Sequence, residues 1–418
     1  MQLSDGQADP EPHLGSAGNN DAMAIGLSLL LLSVGWSGAA TAFAPIAAGG
    51  STVSARADLS ACKLAAQPSV YLSLGFNYTL NCAPSTGTLT GLMVFVDFAD
   101  FPAGATETPQ SLYDVFLPAA ADWYRTSSYG RLSLNVTADT SRFYRMPARA
   151  DSYGWTRGLT AAAHQKFVQD ALVAYGRTVT PPVDVFYVVP TARATALSFS
   201  PTYMNDVRTR AGAYVARKAT TFGIDVYRTW GAKALNHETG HTMCLPDLYP
   251  LPSGATGLYV GGWDMMGYIN GPAPDYFAWN KWRLGWLDDA QVECVSGAGS
   301  SAHTVTALGK PGGVKAVVVR RNSTAVLVAE LRTKSGLDSA VCAPGVLLYT
   351  VSTAVETGKG SIRVLDATPG SKGCAADELN DAPLSLKGVS SYTVSNWGVK
   401  ITVTGQTAES ATLQIEVP

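Results

Sequence analysis

The sequence predicts an α/β domain followed by an all-β, sandwich-like module. Up to about residue 290, apolar strand-like runs alternate with helical patterns. After Cys294 the texture changes to short β-type runs punctuated by Gly, Pro, Asn and Ser. The 418 residues exceed one ordinary domain, and 46% apolar against 15% charged residues supply a sizeable core. With 30 Lys+Arg against 32 Asp+Glu, no basic excess exists to neutralise a phosphate backbone, so nucleic acid is not an expected partner. The apolar residues form no repeated long runs, which excludes a multi-spanning membrane protein.

Residues 1–44 read as a targeting segment. Ala22 to Trp36 carries no charge, and small residues follow, with Ala40-Thr41-Ala42 preferred over Ala42-Phe43-Ala44 as the cleavage site. The usual positive start is missing, since the first Lys or Arg is Arg56. An uncleaved membrane anchor is the alternative; after removal of a signal no stable span is expected. Residues 45–90 are weakly patterned and read as a pro-segment or an irregular start to the fold.

The α/β domain is assigned to 91–290. Gly91 to Asp97 is a buried strand, the stretch from Pro118 to Ser128 a helix, and Arg131 to Val136 a half-buried strand. Leu159, Ala163, Phe167, Ala171 and Tyr175 recur every four residues, as on one helix face. Val183 to Val189 is a second buried strand, and a helix runs from about Tyr227 to Cys244. In 291–418, strands are expected at Lys315–Arg320, Ala325–Leu331, Val346–Val351, Ile362–Leu365, Val399–Val403 and Thr412–Val417. The six cysteines are even in number and form no CxxC pair, which argues for disulfides in an exported protein and against a zinc ribbon. Pairing neighbours in sequence gives 62–82, 244–294 and 342–374, one of fifteen possibilities. Sequons at Asn77, Asn135 and Asn322 bear on the protein only if its source is eukaryotic.

The chemistry centres on Asn236 to Asp247, N-H-E-T-G-H-T-M-C-L-P-D. His237 and His241, four apart on a helix, project from one face as two ligands of one zinc ion. Glu238 lies between them, placed to take and relay a proton from an activated water. Only 5 His occur in the chain, and two of them flank a Glu in register, which makes coincidence a poor account. A catalytic zinc site needs a third protein ligand and an open position. The next Glu is Glu293, too far for a thermolysin arrangement, whereas Asp247 follows a Leu-Pro break at the spacing of the long metzincin motif. The alternative for Asp247 is a turn cap. Downstream, Met266 before Gly267 suits a turn with a methionine beneath the metal; by itself it would be core filler. Tyr268 is placed either to donate to an oxyanion or simply to pack.

These residues resemble the immune-inhibitor-A-like metallopeptidases, a metzincin-related group of secreted proteases. The resemblance is carried by His237–Tyr249, Gly262–Gly267 and Ala278–Leu287. It extends through Val94–Asp100, Ser128–Leu132, Ala329–Arg332 and Gly345–Tyr349. It covers roughly 91–418 and is strongest over 236–287. It implies a metzincin-like catalytic domain and a secreted zinc endopeptidase. Peptide or protein would be the substrate, and Glu238 would act as general base and then acid. Calcium fits such a protein, but no spacing names a site for it. The chain departs from the family at Cys244, where the pattern has a Gly that takes a left-handed conformation. A disulfide from Cys244, with Cys294 as the first choice, would enforce that turn. Cys62 could cap the open zinc position, though a Cys62–Cys82 bond is the preferred reading. The competing functional readings are an exported, metal-stabilised binding protein and a zinc hydrolase of non-peptide bonds.

Overall fold

Two apolar runs set the framework. In Gly87–Asp97 (β1) and Val183–Pro190 (β3), consecutive residues are buried on both faces, the signature of a parallel strand covered above and below. The computed structural model describes residues 58–418, apart from 79 and 376. The expected leader and residues 45–57 lie outside the described residues.

The first sheet adds Leu132–Arg145 (β2), Thr202–Tyr203 (β4), Val207–Arg208 (β5) and Tyr214–Thr221 (β6). Its order is β2-β1-β3-β6-β4, with β5 also on β6. β2, β1, β3 and β6 are parallel, while β4 and β5 run antiparallel to β6. Ala161–Tyr175 (α3) covers one face, where Phe167 and Val168 meet Leu92, Val94, Phe186 and Val188. The other face receives Pro109–Phe116 (α1), Ala119–Ser127 (α2) and Ala232–Thr242 (α4), which bring Leu112, Phe116, Trp123, Tyr124 and Leu235 onto Met93, Phe95, Val185 and Tyr187. Two short helices follow, Gly257–Val260 (α5) and Ala278–Arg283 (α6).

The carboxyl-terminal part is built of two sheets. One takes Val292–Val295 (β7), Ala316–Arg320 (β9), Ala325–Arg332 (β10), Gly345–Ser352 (β11) and Ile362–Val364 (β12), in the order β12-β11-β10-β9-β7. The other takes Gly299–Thr306 (β8), Ser391–Val394 (β13), Val399–Gln406 (β14) and Ser410–Val417 (β15), in the order β13-β14-β15-β8. Val317, Val319, Leu327 and Leu331 face Val399, Ile401, Leu413 and Ile415 between them. The opposite face of the five-stranded sheet, through Val318, Val328, Leu347 and Tyr349, joins the core beneath α4 and α6. The chain is therefore a mixed α/β fold with an added pair of β-sheets.

The disulfide expectation is corrected in two of three pairs. The bonds are Cys62–Cys294, Cys82–Cys244 and Cys342–Cys374. The segment before β1 does not close on itself but lies across the fold. Trp279 Nε1 donates to the Leu74 carbonyl (2.9 Å) and Trp286 Nε1 to that of Ser85 (2.6 Å). With Cys62 and Cys82 both in disulfides, the alternative in which Cys62 caps a metal is withdrawn. No helix among the described residues is long and apolar enough to cross a membrane.

Candidate metal centre

α4 is buried almost all round, so its sequence carries small residues where neighbours press closest. At Gly240 an added Cβ would come within 2.6 Å of Met266 Sδ and of the Tyr276 hydroxyl. Met266 thus lies directly under the helix, one residue before His241. The helix is held from below by Tyr124, whose hydroxyl donates to the Asn236 carbonyl (2.6 Å). The helix expected from Tyr227 is interrupted: a single π turn spans Val226–Trp230, and Gly231 (φ 51°) separates it from α4.

The end of α4 decides where the chain goes next. Leu245 N–H donates to the Gly240 carbonyl (3.1 Å) and Cys244 N–H to that of His241 (2.8 Å). This pair of bonds is the Schellman closure, which puts its left-handed residue at Cys244. Cys244 indeed has φ 64°. The turn that the family pattern assigns to Gly is therefore kept by Cys, at a cost of about 1 kcal/mol. Its disulfide to Cys82, and not to Cys294, anchors it.

From that turn Leu245-Pro246 carries Asp247 back over the histidines. Asp247 Oδ1 lies 3.3 Å from His237 Nε2 and 3.3 Å from His241 Nε2. Each ring donates its other nitrogen to a carbonyl that can only accept: His237 Nδ1–H to Met265 O (2.9 Å), His241 Nδ1–H to Leu245 O (2.7 Å). Those bonds fix the tautomer that leaves both Nε2 lone pairs free. Asp247 Oδ1 is itself buried without a hydrogen-bond donor. Three lone-pair atoms thus converge on one point, an arrangement that repels unless a cation or a proton sits among them. For ligand bonds of about 2.0–2.1 Å the edge of a tetrahedron is about 3.3 Å. The donor set fits such an ion on that observation. Among the described residues, the group of His, Cys, Asp and Glu side chains with metal-ligand spacing is His237, Glu238 and His241, so Glu238 also lies within reach of the point where Asp247 meets the two histidines.

Without a metal the same geometry shifts the local charges. Burial penalises the His241 cation, but the Asp247 carboxylate beside it outweighs this and lifts its pKa to about 9. Burial likewise opposes the charge on Asp247, yet His241 and His237 hold it well below the usual carboxylate range. Glu238 is raised by burial, against the pull of His241 and His237. Thr202 of β4 donates its hydroxyl to Glu238 Oε2 (2.8 Å) and also reaches the Glu238 carbonyl (3.1 Å).

The loop that carries Asp247 is clamped from two sides. Leu248 N–H donates to Met266 O (2.9 Å). On the other side Asp247 N–H donates to Thr357 Oγ1 (2.9 Å), and Gly358 N–H to Asp247 O (3.0 Å). The turn around Met266 is organised by Asp264, which accepts from Met266 N–H and Phe277 N–H, both at 2.7 Å. Burial pushes the Asp264 carboxyl up to about 7. Arg332 of β10 is fully buried beside it. Its guanidinium binds Asp338 (2.6 and 2.8 Å) and Glu330 (3.0 Å), and donates to the carbonyls of Trp263 (2.9 Å) and Ala273 (3.2 Å).

Compared with models of known families and with curated proteins, the chain matches none. The site rests on its own geometry. Of the residues singled out in the sequence, His237, His241 and Asp247 converge, Glu238 lies beside them and Met266 beneath. Tyr268 lines a cavity of about 300 Å³ together with His237 and Glu238. The same cavity holds a tyrosine that the sequence reading passed over as a site residue. The ring of Tyr249 stacks on His237 with centroids 6.2 Å apart, and its hydroxyl faces Asp247. Its position two residues after the proposed ligand was the available signal. A second cavity, of about 410 Å³, opens on the side of His241 and Asp247.

Proposed function

We propose that this chain is an exported zinc-dependent peptidase, metzincin-related and of the immune-inhibitor-A-like kind. The observation that carries the reading is that Asp247 Oδ1 stands at tetrahedral-edge spacing from both His237 Nε2 and His241 Nε2, with a buried carboxylate alongside. His237, His241 and Asp247 would hold the zinc. When bound, the zinc acidifies a water ligand to a pKa of about 7 and polarises a carbonyl.

The chain's own groups supply the rest. Glu238 takes a proton at its carboxylate and passes it to the leaving nitrogen; its raised pKa suits both halves of that task. Thr202 holds Oε2 in place during the exchange. Tyr249 and Tyr268 both line the cavity beside Glu238, where a phenol can donate to an oxygen that gains charge. Peptide is favoured as substrate because β4 is the edge of its sheet and lies against Glu238. An extended chain can add to such an edge through backbone hydrogen bonds. Three disulfides suit an oxidising compartment.

Purified protein should degrade casein with zinc and lose that activity with a chelator. Glu238→Gln protein should fold and retain zinc but not cleave; hydrolysis by that variant would sink the mechanism. Asp247→Ala should lose most of its zinc affinity, measured by competition with a chromogenic chelator, and unchanged affinity would remove Asp247 from the ligand set. Activity confined to small esters would favour a non-peptide hydrolase.

A further inference from the structure

The cleft has a cationic wall that the metal chemistry does not use. Arg157, in the connection leading into α3, borders both cavities that reach Glu238. Its guanidinium stands 4.8 Å over the ring of Phe199. Phe199 is a fixed platform: Trp155 Nε1 donates to its carbonyl (2.9 Å), and its backbone presses on Gly223, where a Cβ would approach to 2.6 Å. Among the described residues the guanidinium makes no ion pair and no hydrogen bond. Asp225 shares the smaller cavity and feels the Arg157 charge, but its hydrogen bonds are made elsewhere. It accepts from Ser200 N–H (3.0 Å), Ser200 Oγ–H (2.8 Å) and Val226 N–H (3.0 Å). Tyr71, from the segment before β1, lines the larger cavity with Arg157 and brings a phenol to the same space.

A guanidinium held over an aromatic ring keeps N–H donors free, and its fork matches a carboxylate in two parallel hydrogen bonds. One with no hydrogen bond of its own, beside the reacting groups, is positioned to bind an anionic part of whatever enters. We propose that Arg157, seated on Phe199, forms a carboxylate subsite, so that the cleft selects peptides with Glu or Asp, or a free C-terminus, close to the bond presented to Glu238. This rests on the peptidase reading of the site.

The test uses the full chain and quenched fluorescent peptides matched in pairs. In one series Glu is exchanged for Gln at each position around the cleaved bond; in the other the C-terminus is a free acid or an amide. Wild-type protein should favour the anionic member of one series by about tenfold or more in kcat/KM, as expected for one charge-assisted hydrogen bond. The series that responds identifies the source of the carboxylate. In Arg157→Gln the ratio should fall to near one, and Arg157→Lys should retain part of it, because the charge survives without the fork. Equal handling of the pairs by wild type, or a preference that survives Arg157→Gln, overturns the proposal. Binding of the same peptides to zinc-loaded Glu238→Gln protein, read by fluorescence anisotropy, separates the two ideas. If wild type cleaves nothing, the peptidase reading falls. An anionic preference in binding that Arg157→Gln abolishes still supports the subsite, and its absence refutes it.

Discussion

Replacing both Cys82 and Cys244 allows the left-handed turn to be separated from the bond that anchors it. The Cys82–Cys244 bond joins residues 162 apart in sequence. The Cys62–Cys294 bond already brings those regions together, so the loop newly closed is roughly 70 residues by the shorter path, and chain-entropy arithmetic gives about 4 kcal/mol. Cys82→Ala/Cys244→Ala should lose stability of that order. Cys82→Ala/Cys244→Gly should recover about 1 kcal/mol of it, because only the second places a residue without Cβ at φ 64°. Urea unfolding followed by tryptophan fluorescence measures both, with the two double variants compared at equal slope. Zinc affinity should follow the same order, since this turn aims Asp247. A Gly variant no more stable than the Ala variant would refute the idea that the left-handed cap is kept in the absence of the bond.

Three further outcomes are expected. Thr357→Val removes the acceptor of Asp247 N–H and should weaken zinc binding by about tenfold or more, read by chelator competition, with little change in the fold. Arg332→Met leaves Glu330 and Asp338 buried without their cation; a loss of about 3–5 kcal/mol is expected from denaturant melts. Burial holds His164 neutral, with its pKa lowered from 6.5 to about 3. The unfolded chain therefore binds the extra proton first. Stability is full above pH 6.5 and falls as pH drops from there toward 3, by about 2 kcal/mol already at pH 5. His164→Gln should flatten the urea midpoint over that window.

The residues of the candidate site were legible because their spacing is local. A helix fixes His237 and His241 on one face, and a helix stop fixes how soon Asp247 can return. β1, β3, α2 and α3 were legible for the same reason, each being a single run with one period. What failed was non-local. The partner of Cys244 depends on a segment that crosses the fold, and nothing near Cys82 in sequence records that path. β4 and β5 have two residues each, too few to show alternation, yet β4 supplies the Thr202 contact to Glu238. β8 and β13 are mostly polar on one face and short on apolar signal. Glu330 and Arg332 read as ordinary strand residues, since only the assembled sheet shows that they are buried together. Tyr249 was overlooked because an aromatic after Pro and Asp is more often packing than chemistry.

The clamp on Asp247 also has a schedule. Its partner Thr357 lies 110 residues further along the chain, on the connection between β11 and β12. A growing polypeptide presents His237, Glu238 and His241 long before that connection exists. Throughout this interval the helix has its two imidazoles, but the Asp247 loop lacks its support on one side. On the proposed reading, maturation of the centre is thus tied to synthesis of the five-stranded sheet of the carboxyl-terminal part, and a chain truncated before residue 357 should be made as protein without becoming a competent metal site.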